Sequence, residues 1–267
     1  MKNKIIASIE RLQHQKKQHF LLAVSGGIDS MVMLDFFNKN SQLANISVCY
    51  VDHNYHANSR KMGKIVSRYC NDNNITFIEH SIDSSGIKGN IESQLREKRY
   101  SFLSNACKEV NADYVVTAHH LDDQIETILM KILNSSSFTA MRGIQSLNNS
   151  LFRPMLDITK DEIWKYAEEN NVHYVSDPTN QDTSLTRNFL RKKVIPLLES
   201  IKPRLYKPFQ DFQNKTNDME DLLTFSTDEF MKSDYVSFSN DIYYIKKERF
   251  ISLPFLLRVN IIRKMLS

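Results

Sequence analysis

Six consecutive residues, Ser25-Gly26-Gly27-Ile28-Asp29-Ser30, carry the chemistry most directly. They follow an apolar run, Leu21, Leu22, Ala23 and Val24, and precede a helix-like pattern that starts at Met31. Strand, small-residue turn and helix together make an anion cradle. Glycines let the backbone approach a phosphate, and the helix start turns unpaired N–H groups and a positive dipole end toward it. Ser25 and Ser30 add hydroxyl donors. Asp29 sets a carboxylate beside the anion, which suits a Mg²⁺ held between them. No lysine lies between Leu21 and Asn38, so this is not the GxxxxGK[ST] loop of the P-loop ATPases. The plainer alternative is a Gly-Gly turn joining strand to helix. Two serines and an aspartate at these spacings favour the cradle.

Two further polar clusters have the same placement. Asp52-His53 follows a β-type run at residues 46–51, and His119-His120 follows another at 114–117. In the segment AHHLDDQIETILMKIL (118–133), a helix would put Asp122 and Glu126 four apart on one face, and likewise Asp123 and Thr127. Ile125, Leu129 and Ile132 would then form its buried stripe. The two histidines and two aspartates suit metal or nucleotide contacts, or a helix start whose acids complement the dipole.

The elements that must position these groups alternate. A polar, helix-compatible segment spans 57–73, a short strand 75–78, and a helix with apolar spacing 90–110. Strands alternating with helices predict an α/β fold, a Rossmann-like parallel sheet with helices on both faces. In such sheets ligands lie beyond the carboxyl ends of the strands, so the three polar clusters fall on one rim. Downstream, Thr159 with Glu162 predicts a capped helix through Glu169, with Ile163, Trp164 and Ala167 as its core face in preference to a base-stacking platform. Asp177-Pro178-Thr179-Asn180 reads as a turn. A basic run follows: Arg187, Arg191, Lys192 and Lys193. Such a run is either a solvated helix face or a phosphate-binding one.

Composition shifts near Pro203 and Pro208. Beyond it lie a polar helix (209–232), a hairpin (235–238 with 242–245) and a helix-spaced segment (250–266). The expected domains are a catalytic one over 1–208 and a smaller, mostly helical substrate-binding one over 209–267.

The bulk numbers fit this plan. With 267 residues, 41% hydrophobic and 25% charged, the chain is an ordinary globular sequence. Thirty-five basic against 31 acidic residues, a net charge of +4, tolerate an acidic partner without demonstrating one. Cys49, Cys70 and Cys107 are far apart and form no CxxC, which argues against a zinc ribbon, a disulfide framework or a cysteine-held cluster. The first 17 residues are charged throughout and read as an amphipathic helix rather than a signal peptide. No apolar run approaches the ~18–20 residues that span a bilayer. A soluble, cytoplasmic protein without membrane partners is expected.

The loop resembles the SGGxDS pyrophosphate-binding loop of the ATP pyrophosphatases. Ala118-His119-His120-Leu121-Asp122-Asp123-Gln124-Ile125-Glu126-Thr127 resembles the AHHxDDQxET signature of tRNA(Ile)-lysidine synthetases, and residues 151–198 resemble their RPLL…DpSN…RNxxR block. The similar blocks span about residues 19–200. The resemblance implies ATP and Mg²⁺ as cofactors. Ser25, Gly26, Gly27, Ile28, Asp29 and Ser30 would hold the pyrophosphate, with Asp29 on the metal. Asp52, His53 and His119 would lie near the nucleotide. Asp122 or Asp123 would orient an incoming amine, and Arg187 would clamp the developing phosphate charge. Arg191, Lys192, Lys193 and Arg204 would contact RNA. The implied partners are an isoleucine tRNA with a CAU anticodon and free L-lysine, with a homodimer as a candidate assembly. The implied reaction adenylates O2 of the first anticodon cytidine, after which the lysine ε-amine displaces AMP at C2.

The chain departs from the family where VDHNYH replaces VDHGLR, placing Asn54 and His56 at the glycine and arginine, and where 134–143 lacks several glycines. It also ends early against the longer members, which reads as a short or truncated form. A cytidine thiolase of the same superfamily, or a non-catalytic nucleotide- or RNA-binding module, stands as the alternative.

Overall fold

A computed structural model describes residues 1–12, 16–52, 59–82, 91–135, 137–175 and 186–266. The chain divides into two compact units, Met1–Met130 with Ile144–Pro203, and Lys131–Gly143 with Arg204–Ser267.

The first unit opens with α1 (Lys2–Glu10), then alternates β1 (Gln18–Ala23), α2 (Ile28–Lys39), β2 (Ala44–Asp52), α3 (Ser59–Asp72), β3 (Thr76–Ser81), α4 (Ile91–Glu109), β4 (Tyr114–Val116) and α5 (Leu121–Leu133). Short strands β5 (Leu147–Asn148) and β6 (Leu151–Phe152) precede α6 (Lys160–Glu169), α7 (Thr186–Phe189), a π-helical turn (Leu190–Val194) and α8 (Ile195–Ile201). The strand order is β3-β2-β1-β4-β6-β5, parallel throughout except for the β5–β6 edge pair. From β1 the chain builds outward through β2 and β3, then crosses back to place β4 on β1's other side. The topological switch therefore lies between β1 and β4, where such sheets bind ligands.

Alternation along β1 feeds both faces. Phe20 and Leu22, with Val24 just past the strand's end, join the larger core with Met31, Leu34 and Phe37 of α2. Leu21 joins the opposite core with Cys49, Leu103, Ala106 and Val115. A run apolar at every position is what a strand covered by helices on both sides requires.

Several expectations shift in detail. α2 starts at Ile28 rather than Met31, because Gly27 serves as its N-cap and the loop residues are already in the helix. On α5 the buried positions include Leu121, Asp123, Ile125, Glu126 and Ile128, while Ile132 is 48% exposed. The expected stripe of Ile125, Leu129 and Ile132 is thus rotated by carboxylates that turn inward. Trp164 is 42% exposed, unlike Ile163 and Ala167. It meets Tyr174 edge-on and lies under the Lys160 ammonium instead of entering the core.

The second unit contains α9 (Tyr206–Met231), a hairpin of β7 (Val236–Ser239) and β8 (Ile242–Ile245), α10 (Lys247–Ser252) and α11 (Phe255–Met265). Pro254 splits the expected 250–266 helix in two, since its ring cannot continue the preceding turn. No helix among the described residues is long and apolar enough to cross a membrane.

Candidate active site

The loop after β1 is built for close approach. Gly26 has φ +83°, a left-handed conformation that side chains resist, and a Cβ there would come within 2.9 Å of the Met62 Cβ. At Gly27 an added Cβ would meet only Ser25 Oγ, at 3.6 Å. Only Gly26 is obligatory for the turn. The Ser30 hydroxyl donates to the Gly27 carbonyl at 2.9 Å and accepts from the Ser25 amide at 3.1 Å, and the Ser25 and Ser30 hydroxyls lie 3.2 Å apart. These bonds shape the loop around the start of α2, whose first amides point outward.

Asp29, in the first turn of α2, faces a charged assembly. Lys160 Nζ donates to Asp29 Oδ1 at 2.5 Å, and His120 Nε2 lies 3.7 Å from the same oxygen. His120 is buried. Its Nδ1 is 3.4 Å from Asp122, and its backbone amide donates to Asp123 Oδ2 at 3.0 Å. Asp122 also accepts the Lys160 amide at 2.9 Å. Burial alone would discharge His120, but Asp122, Asp123 and Asp29 together raise its pKa. Neighbouring His119 goes the other way. Burial, helped by Arg153, Arg187 and Arg99, lowers its pKa to about 3, and the neutral ring bonds the Thr117 hydroxyl at 2.8 Å.

A second assembly lies behind the first. Glu126, fully buried, takes Arg187 Nε at 2.6 Å on one oxygen and Arg191 Nε at 2.5 Å on the other. Both guanidinium groups also reach Asp123 Oδ1, at 2.8 and 3.2 Å. Arg187, on α7, and Arg191, in the π-helical turn that continues it, are four residues apart and face Asp123 and Glu126, one turn apart on α5. The sequence pairing of Asp122 with Glu126 is replaced by Asp123 with Glu126. Desolvation works against the Asp123 carboxylate, yet His120 and Arg187 hold its pKa below the usual range.

The structure thus gathers Ser25, Gly26, Gly27, Ile28, Asp29, Ser30, Asp122, Asp123 and Arg187, with His119 on the same rim. Asp52 is buried at the end of β2. His53, Asn54, His56 and the 177–180 turn lie outside the described residues. Lys192 and Lys193 are exposed in the π-helical turn, while Arg191 turns inward to Glu126. Arg204 belongs to the second unit. Sequence reasoning missed Lys160. It sits 131 residues from Asp29, in a helix start that looks like any solvated one. The Glu162 capping box with Thr159, which is legible, fixes that first turn and so places the ammonium.

Among the described residues no cluster of three or more His, Cys, Asp or Glu forms a protein-only metal cage. A Mg²⁺ held by one carboxylate and by phosphate oxygens needs none, and the part-exposed Asp29 beside the loop fits that mode.

A cradle of this kind suits the polyphosphate of a nucleotide, and the switched parallel sheet around it is that of the N-type ATP pyrophosphatases. The family model described as PP-loop domain matches residues 1–198, and the chain belongs to that family, which uses ATP. It is similar to tRNA(Ile)-lysidine synthases of Thermotoga maritima (29% identical, covering 88% of this chain and 58% of that protein), Lactiplantibacillus plantarum (33%, 80% and 49%) and Bacillus subtilis (32%, 88% and 52%). The chain spans about half the length of these curated relatives. In structure it resembles the U34-tRNA thiolase NcsA of Methanococcus maripaludis with its [4Fe-4S] cluster. The TM-score is 0.66 at 16% identity, over 80% of this chain and 79% of that one, a likeness of fold alone.

Proposed function

We propose that this chain forms lysidine: it adenylates O2 of the wobble cytidine in a CAU-anticodon isoleucine tRNA, then lets the ε-amine of free lysine displace AMP at C2. The observation that carries the reading is the convergence of an anion cradle with the Asp29, His120, Asp122 and Asp123 cluster at the β1/β4 switch point. The names of the similar proteins supply the substrate.

In this reading Ser25, Gly26, Gly27, Ile28 and Ser30 hold the pyrophosphate, with Asp52, His53 and His119 toward the adenosine. Asp29 would hold Mg²⁺, and the metal would supply neutralisation of phosphate charge. Between the two aspartates, Asp122 is the better group to receive the lysine ammonium. It is 22% exposed, against 11% for Asp123, and the oxygens of Asp123 already accept from Arg187, Arg191 and the His120 amide. Arg187 stands as the cation beside the reacting phosphate, oriented by Asp123 and Glu126. Lys192, Lys193 and Arg204 serve RNA, and Arg191 serves it through the rigidity of the lattice. Residues 1–208 act as the catalytic domain and 209–267 as part of a substrate-binding one, in a cytoplasmic protein that can form a homodimer.

Cysteine chemistry gives the thiolase alternative little support. All three thiols are buried, and burial pushes Cys49 and Cys70 up to about 12. The test is transfer of labelled lysine to a CAU-anticodon tRNA transcript in the presence of ATP·Mg²⁺. Label in the RNA, dependent on ATP, is expected. ATP cleavage with no transfer of lysine label to the RNA would overturn the substrate assignment.

A further inference from the structure

Helix α3 carries four exposed cations, Arg60, Lys61, Lys64 and Arg68, with no acid between Ser59 and Asn71. Arg60, Lys64 and Arg68 recur every four residues and so form one stripe, about 12 Å long at ~1.5 Å of rise per residue. The opposite side of the helix is fully used: Met62, Val66 and Cys70 are buried in the larger core. Beside the stripe lies a groove of about 450 Å³, lined by Arg60, Lys64, Ser67, Arg68 and Asn71 and by the acids Asp72 and Glu79. Arg68 and Asp72 pair at 3.8 Å with both side chains mostly exposed, a contact too weak to neutralise the stripe.

The position of the stripe matters as much as its charge. The first turn of α3 packs on the phosphate cradle, since a Cβ on Gly26 would collide with Met62. The cations therefore begin at the rim where the nucleotide loop lies and lead away from it along the edge of the sheet.

We propose that the α3 stripe and its groove bind the sugar–phosphate backbone of the RNA strand whose base enters the site. The proposal rests on the RNA reading above and adds a surface to it. A strand delivering one base to the rim must lay its neighbouring phosphates on adjacent protein, and a row of three cations spaced by one helical turn can meet more than one of them. Arginine and lysine with serine and asparagine between them are donors suited to phosphate and sugar oxygens. An anionic membrane is the poorer partner. A helix that lies in a bilayer needs an exposed apolar face, and the apolar face of α3 is already buried in the core.

The test compares wild type with R60Q/K64Q/R68Q, and with K165Q as a control that changes an exposed cation of α6. RNA affinity is measured for a CAU-anticodon tRNA transcript between about 50 and 400 mM salt. The triple variant should lose about tenfold to a hundredfold in affinity near 0.1 M salt, and its log–log salt slope should flatten by about 2 to 3. ATP·Mg²⁺ affinity and the melting temperature should stay at wild-type values, as should every property of K165Q. If wild type binds RNA and the triple variant keeps its affinity and slope, the α3 assignment fails and the RNA reading survives. If wild type binds no RNA, both fail. Loss of binding to phosphatidylserine vesicles with RNA binding intact would overturn the proposal in favour of a membrane surface.

Discussion

The cradle at residues 25–30 and the lattice of Asp123, Glu126, Arg187 and Arg191 are both polar clusters at the switch point, yet they are put together in opposite ways. The cradle closes on itself through serine hydroxyls and backbone, leaving the amides of the α2 start and part of Asp29 turned outward. The lattice directs carboxylate and guanidinium onto each other, with both oxygens of Glu126 engaged. A site that binds a ligand must keep unsaturated donors facing it; a framework that holds the site must satisfy its own charges. In the sequence the two look alike, and only the pairing separates them.

The sharpest break of this contrast is Asp29→Ala. It should lower adenylation turnover by about 10²–10³-fold or more and move the melting temperature little, because Asp29 and its partner Lys160 are both part-exposed. Glu126→Ala should act chiefly on stability, with a smaller loss of turnover as Arg187 loses one of its two orienting carboxylates. It leaves two guanidinium groups sharing Asp123 alone and should cost about 1–3 kcal/mol in urea unfolding, less than breaking a fully buried pair because the arginines are over a third exposed and keep one carboxylate. Equal loss of stability in the two variants would erase the distinction.

Gly26→Ala should cost about 1–3 kcal/mol through its left-handed φ and the Met62 contact, whereas Gly27→Ala should fold normally. A smaller effect is set by Glu162. Lys4, the Thr159 amide and the chain's amino group hold its pKa below 4.5 against the opposing effect of burial. A depressed carboxylate stabilises above its unfolded pKa and loses that contribution as pH falls through the folded value. The difference in unfolding midpoint between wild type and Glu162→Gln should therefore be full near neutral pH and vanish on acidification below 4.5. Finally, native Cys49 and Cys70 should resist iodoacetamide at pH values well below 12, as buried thiols do.

Local signals were legible in the chain. The Thr159–Glu162 capping box, the end of α6 at Glu169, the 242–245 strand and the strand-end position of the 25–30 loop, Asp52 and His119-His120 follow from short-range pattern. What escaped is long-range. Lys160 reaches Asp29 across 131 residues, and Arg187 and Arg191 reach Glu126 across 61 and 65. Periodicity assigned α5 an aliphatic stripe because it cannot register that Asp123 and Glu126 are carried inward by cations from another helix. Helical spacing puts Trp164 on the core face, whereas in the structure it is exposed beside the Lys160 ammonium.

The most direct measurement is the product of ATP cleavage when the protein is mixed with ATP·Mg²⁺, a CAU-anticodon tRNA and free L-lysine. The account predicts AMP and pyrophosphate in equal amounts, formed only with RNA present and lost in Asp29→Ala. ADP with inorganic phosphate, or cleavage indifferent to RNA, would contradict it.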